Sequence, residues 1–104
     1  MVVKHIVLFK FRDHTSQAIL TKLDSSLKGL TCIPGVLDVS FGKTFTTERA
    51  QGFNHVLIAT LKDRAALATY STNPQHVDVV KADILPNVEQ NGVLAMDIDV
   101  PEIN

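Results

Sequence analysis

In Tyr70-Ser71-Thr72-Asn73-Pro74-Gln75-His76-Val77-Asp78-Val79-Val80 a helical pattern is broken and restarted within a few residues. A residue before proline is pushed out of the helical region, so the helix that reaches Tyr70 must end at Asn73-Pro74. The same pair starts the next helix, with Asn73 as N-cap and Pro74 at the first helical position. His76 then lies in the first turn, where the unpaired N–H groups and the positive helix end favour a neutral imidazole. A phenol and an imidazole thus flank one tight break, as an acid–base pair requires.

Moving outward, Asp63 caps the first of these helices, through Ala65, Ala66, Leu67 and Ala68, and the second runs from Gln75 to Leu85 and ends at Pro86. Before them, Phe53 to Leu61 reads as a strand, with His55, Leu57, Ala59 and Leu61 on one side. Thr46 to Gly52 is a polar loop. Val36 to about Thr44 is another strand, with Leu37, Val39 and Phe41 sharing a face. Val2 to Phe11 is the first strand, its His5, Val7, Phe9 and Phe11 on one face and Lys4, Ile6, Leu8 and Lys10 on the other. Between these two, a helix capped near Asp13-His14-Thr15-Ser16 carries Ile19, Leu23, Leu27 and Leu30 at helical spacing and stops near Gly29. Asn91-Gly92 is a turn signal, and Val93 to Val100 alternates as the last strand, with Asp97 on the face of Val93 and Ala95.

The order is β-α-β-β-α-β, an α+β chain of the ferredoxin-like type. Two helices cover one face of a four-stranded sheet. The other face shows Ile6, Leu8, Val56, Ile58, Leu94, Met96 and Ile98, a larger apolar patch than a monomer leaves in water. A homodimer through this sheet face, closing into a dimeric α/β barrel, is the expected cover.

The 104 residues make a single domain, 1–104, and a formal charge of −1 gives no footprint for nucleic acid or an anionic membrane. Cys32 is the only cysteine, which excludes an intrachain disulfide and points to a reducing compartment. The early apolar run Ile6-Val7-Leu8-Phe9 is too short for a signal peptide or a membrane span, so a cytoplasmic location is expected. His5, His55 and His76 show no short ligand spacing, and phosphate or dinucleotide motifs are missing, so neither metal nor cofactor is expected.

Lys4-His5-Ile6-Val7-Leu8-Phe9-Lys10-Phe11, Phe41-Gly42-Lys43, Gly52-Phe53-Asn54-His55 and Tyr70…Asn73-Pro74-Gln75-His76-Val77 occur in this order. Together they resemble the stress-responsive A/B barrel (Dabb) family across Val2 to about Val100. The resemblance implies a ferredoxin-like monomer, a dimeric barrel and a pocket between sheet and helices. An enzymatic plant member closes a polyketide by an aldol condensation without a cofactor, using a tyrosine and a histidine spaced like Tyr70 and His76. By that likeness Tyr70 and His76 are the catalytic pair. By the same likeness His5, Val7, Phe9, Leu37, Val39, His55 and Leu57 face a small carbonyl-bearing ligand; independently of the family, the strand alternation puts the Asp97 carboxylate where it can orient an imidazole. Asn73 stands where that cyclase has histidine, and the first helix is aliphatic where the cyclase is aromatic, which implies a different or smaller ligand. Enzyme chemistry, if present, is of the lyase, cyclase or isomerase type. The rivals are a non-catalytic stress protein, with a pocket filled by its own side chains, and a cofactor-free oxygenase.

Overall fold

A computed structural model describes residues 1–101. Strand β1 (Val2–Phe11) is followed by helix α1 (Gln17–Lys28), a 3₁₀ turn (Gly29–Cys32), β2 (Val36–Lys43) and β3 (His55–Leu61). Then come α2 (Arg64–Thr72), α3 (Pro74–Val79), a π-helical turn (Val80–Ile84) and β4 (Val88–Val100). The sheet order is β2-β3-β1-β4, and every neighbouring pair is antiparallel. This is the ferredoxin-like α+β topology.

The barrel expected from the sequence is corrected here. The four-stranded sheet is open, and β2 and β4 form its two edges at opposite ends of the strand order. Among the described residues β2 pairs only with β3 and β4 only with β1, so no ladder joins the two edges and the sheet does not close.

Local chemistry sets the helix limits. Ser16 Oγ accepts the Ile19 N–H and Asp63 Oδ1 accepts the Ala66 N–H, so each long helix begins where an orphan donor is satisfied. Leu23, Leu27 and Leu30 are fully buried against the sheet, each contributing roughly 1.5–3 kcal/mol relative to exposure. From the sheet, Val3, Val7, Phe9, Phe11, Leu57, Ala59 and Leu61 meet them.

Three local readings differ from the structure. Leu37 was expected inward, but it is 57% exposed. Val36 pairs with Leu61 and Asp38 with Thr60, so β2 carries one extra residue there. That bulge turns Leu37 outward and leaves Val36 and Val39 in the core. The last strand starts at Val88 rather than Val93, and Asn91-Gly92 lies within it. The register jumps from Phe9↔Val93 to Phe11↔Val88, and Asn91 is left-handed at φ 59°, so the pair makes an irregularity in β4, not a turn. Finally, the segment expected to be one helix from Gln75 to Leu85 changes to π-helical at Val80.

Candidate functional site

The break after Tyr70 is built as its residues dictate. Asn73 is extended (φ −61°, ψ 130°), its Oδ1 accepts the Gln75 N–H at 2.9 Å, and Pro74 opens α3. This swings His76 back toward the end of α2. Its ring centroid lies 4.3 Å from that of Tyr70, at 41°. On the sheet side, the His5 ring meets the edge of Tyr70 at 5.8 Å and 66°. The phenol is thus held between two imidazoles, one from β1 and one from α3.

A cavity of about 230 Å³ opens beside this trio. The sheet supplies His5, Val7, Phe9, Leu57, Val93 and Ala95; Leu27, His76, Val80, Ile84 and Leu85 close it from the helical side. Its wall is apolar apart from the two imidazoles, and among the described residues it holds no lysine, arginine or carboxylate.

Tyr70 is fully buried, and burial raises its phenol to about 12. It therefore stays protonated and acts only as a donor. Burial depresses the His76 imidazole; the Ser71 backbone pulls the other way, and the neighbouring His5 lowers it further. At neutral pH His76 is uncharged and keeps a lone pair. Among the described residues Tyr70 Oη is shielded from solvent and has no hydrogen-bond partner; His76 Nδ1 is equally shielded, with the Ser71 backbone close enough to act on the ring but not in hydrogen-bond geometry. Buried polar atoms of this kind are uncommon and need a physical account.

His5 is tied from behind. Its Nδ1 lies 2.5 Å from Asp97 Oδ1 on the paired strand β4, where the register places Asp97 directly opposite. An ionised carboxylate only accepts, so Nδ1 carries a proton and the ring's Nε2 edge is turned away from Asp97. Asp97 itself lines an adjoining depression of about 320 Å³ with Arg64 and Asp99, which are ion-paired with each other. It reaches the cavity only through His5.

The structure therefore brings His5, Val7, Phe9, Leu57 and His76 to one cavity, with Tyr70 packed against its imidazoles and Asp97 behind His5. It does not bring Leu37, Val39 or His55 there. Leu37 is turned out by the bulge, and Val39 is buried on β2, away from the β1–β4 side that lines the cavity. His55 stacks on Phe41 at 5.5 Å and donates to Asn54 Oδ1, at the far end of β3. Among the described residues, no group of three or more His, Cys, Asp or Glu side chains is placed to hold a metal ion. No described helix is long and apolar enough to cross a membrane.

Leu27, Val80, Ile84, Leu85, Val93 and Ala95 were not among the expected lining residues. Val93 and Ala95 share the Asp97 face, and that alternation was the available signal. Val80 and Ile84 are four apart, but the change to a π turn that aims them has no sequence signature.

An open ferredoxin-like sheet with a histidine-lined cavity under its helices defines a class of small α+β proteins. The chain belongs to the stress-responsive A/B barrel domain family, whose profile matches residues 3–100. It is 34% identical over 85 residues to a stress-response A/B barrel domain-containing protein of Arabidopsis thaliana; the match covers 82% of this chain and 32% of that protein. The chain thus spans about a third of the length of that relative. It is 29% identical over 79 residues to the olivetolic acid cyclase of Cannabis sativa, covering 74% of this chain and 78% of the cyclase. Among solved structures, one from Arabidopsis thaliana superposes with a TM-score of 0.84 at 26% identity, over 98% of both chains. A dimeric ferredoxin-like protein of unknown function from Jannaschia sp. gives 0.83 at 20% identity, over 96% of this chain and all of that one (100%), a likeness of fold.

Proposed function

We propose that this chain binds a small, uncharged, carbonyl-bearing metabolite in the cavity between sheet and helices. There it carries out cofactor-free acid–base chemistry of the lyase, cyclase or isomerase type. The observation that carries the reading is the unpartnered buried hydroxyl of Tyr70, packed beside the cavity-lining imidazole of His76. A ligand carbonyl oxygen supplies the acceptor that the Tyr70 hydroxyl lacks.

The roles follow from protonation. His76, kept neutral by burial, takes a proton from carbon next to the ligand carbonyl. Tyr70, kept protonated, donates to the oxygen on which charge develops. His5, oriented by Asp97, presents Nε2 to the same ligand. The apolar wall offers nothing to neutralise a carboxylate, which is why the ligand is uncharged. About 230 Å³ is below the usual ligand-pocket range of roughly 300–1,000 Å³, and roughly 150 Å³ already admits benzene. A single ring with short substituents fits. The relative named as a cyclase supports the same class of reaction. The open cavity and the facing rings weigh against a pocket filled by the protein's own side chains.

The test is turnover on a panel of β-keto and phenolic compounds. His76→Ala should lower it by roughly 10²–10⁴-fold with the fold intact, and undiminished turnover in both His76→Ala and Tyr70→Phe removes this mechanism.

The exposed sheet face favours a second reading, about assembly. Ile58, Leu94, Met96 and Ile98 are 37–49% exposed on one face, around half-buried Ile6, Leu8 and Val56. The register places Ile6 opposite both Ile58 and Met96, and Leu8 opposite both Val56 and Leu94, so the patch is contiguous. We infer that a second copy covers it as a symmetric homodimer, the commonest closed assembly.

A further inference from the structure

His55 lies outside the cavity yet is 7% exposed, and its hydrogen bonding fixes its chemistry. Asn54 Nδ2 donates to the Phe11 carbonyl at 2.9 Å, and Asn54 Oδ1 accepts the Phe11 N–H at 3.0 Å. The amide can therefore point only one way. Oδ1 faces His55 Nδ1 at 2.9 Å, so Nδ1 is the protonated nitrogen and Nε2 holds the lone pair. Phe41 stacks on the ring and Phe11 meets it edge-on at 5.0 Å, which locks the plane. Nε2 has no hydrogen-bond partner among the described residues.

Two adjoining depressions of about 300 and 270 Å³ meet at this imidazole and share Leu20, Lys43 and His55. Lys43 on β2 stands directly opposite His55 in the sheet register, and Arg12 lines the second depression. The acidic groups present are Asp24, ion-paired with Lys28 at 3.0 Å, and Asp13. Burial depresses the His55 imidazole and Lys43 depresses it further, in keeping with a neutral acceptor beside a cation.

We propose that this cleft is a second binding site, for a small oxyanion bearing its own O–H, such as hydrogenphosphate or a 2-hydroxycarboxylate. Lys43 and Arg12 take the charged oxygens, and the hydroxyl donates to His55 Nε2. A cation pair alone would accept any anion; the oriented lone pair adds the demand for a donor. The site lies beyond Phe9, the register partner of His55 that lines the cavity, and shares no lining residue with that cavity, so it does not depend on the reading of it.

The experiment follows the His55 imidazole by NMR at pH 7.5 while inorganic phosphate, glycolate, sulfate and acetate are added separately at constant ionic strength. The proposal predicts saturable His55 shifts with phosphate, glycolate or both, at least about tenfold weaker with sulfate and acetate. The responder identifies phosphate or carboxylate as the source. Lys43→Gln and Arg12→Gln, both at exposed positions, should each weaken binding by about tenfold while the amide spectrum stays folded. Sulfate and acetate acting as strongly as their hydroxylated counterparts, variants binding like the parent chain, or a His55 signal that no anion moves would each overturn it.

Discussion

Tyr70 pairs a stability cost with a functional role. Its hydroxyl is buried without a partner, a situation that costs roughly 1–3 kcal/mol. Tyr70→Phe should therefore stabilise the ligand-free protein by about 1 kcal/mol, raising Tm by roughly 4–8 °C in a scan, while ligand binding weakens. A Tm that falls would mean that the hydroxyl is satisfied in solution. The imidazoles add a pH dependence. His76 and His55 are both held below the ordinary 6.5 in the folded state, chiefly by burial. Between their folded values and 6.5 the unfolded chain binds more protons, so stability falls as pH drops through that window. Denaturant unfolding at pH 7.5 and 5.5 should show the loss, and His76→Gln should reduce the difference without abolishing it, because His55 remains. Both side chains were legible in the sequence, His76 from its place after Asn73-Pro74. The failure to bring His55 to the cavity follows from a tertiary fact, the Asn54 amide clamped to Phe11, which no local pattern announces.

At the scale of elements, the α2–α3 break positions the site. Asn73 caps α3 through Gln75, and α3 runs only from Pro74 to Val79. Asn73→Ala should cost about 1 kcal/mol of stability. It should also disturb His76 more than His5, visible as a changed His76 imidazole signal beside an unchanged His5. Equal disturbance of both rings would show that the cap does not act locally. The break, the caps and the strand alternation could be read because each rests on a residue with a fixed backbone or side-chain habit. The two sheet irregularities could not. The β2 bulge at Leu37 and the β4 irregularity at Asn91-Gly92 depend on how neighbouring strands pair. Asn91-Gly92 is a turn signal in isolation, and here the pairing of Val88 with Phe11 carries the strand past it.

On the scale of the whole molecule, the sequence order led to the ferredoxin-like topology, and the alternation led to the right seven apolar residues on the uncovered face. It did not lead to the right closure. Strand order β2-β3-β1-β4 leaves two edges, and hydrophobic periodicity says which way side chains point, not whether edges meet. The uncovered face remains the argument for a homodimer. Met96→Lys and Ile58→Glu place charges at two facing-out positions that are 49% and 37% exposed. In sedimentation velocity the parent chain should run as a dimer and the double variant as a folded monomer. A parent chain that sediments as a monomer at tens of micromolar would contradict the assembly.

A shared ligand site at His5, Tyr70 and His76 is open to histidine-resolved NMR during titration with small β-keto and phenolic compounds. One class of compound should shift His5 and His76 together while leaving His55 in place, and Tyr70→Phe should weaken this joint response. If His76 titrates as a free surface imidazole and no compound moves it, the cavity is not a ligand site and the acid–base reading fails.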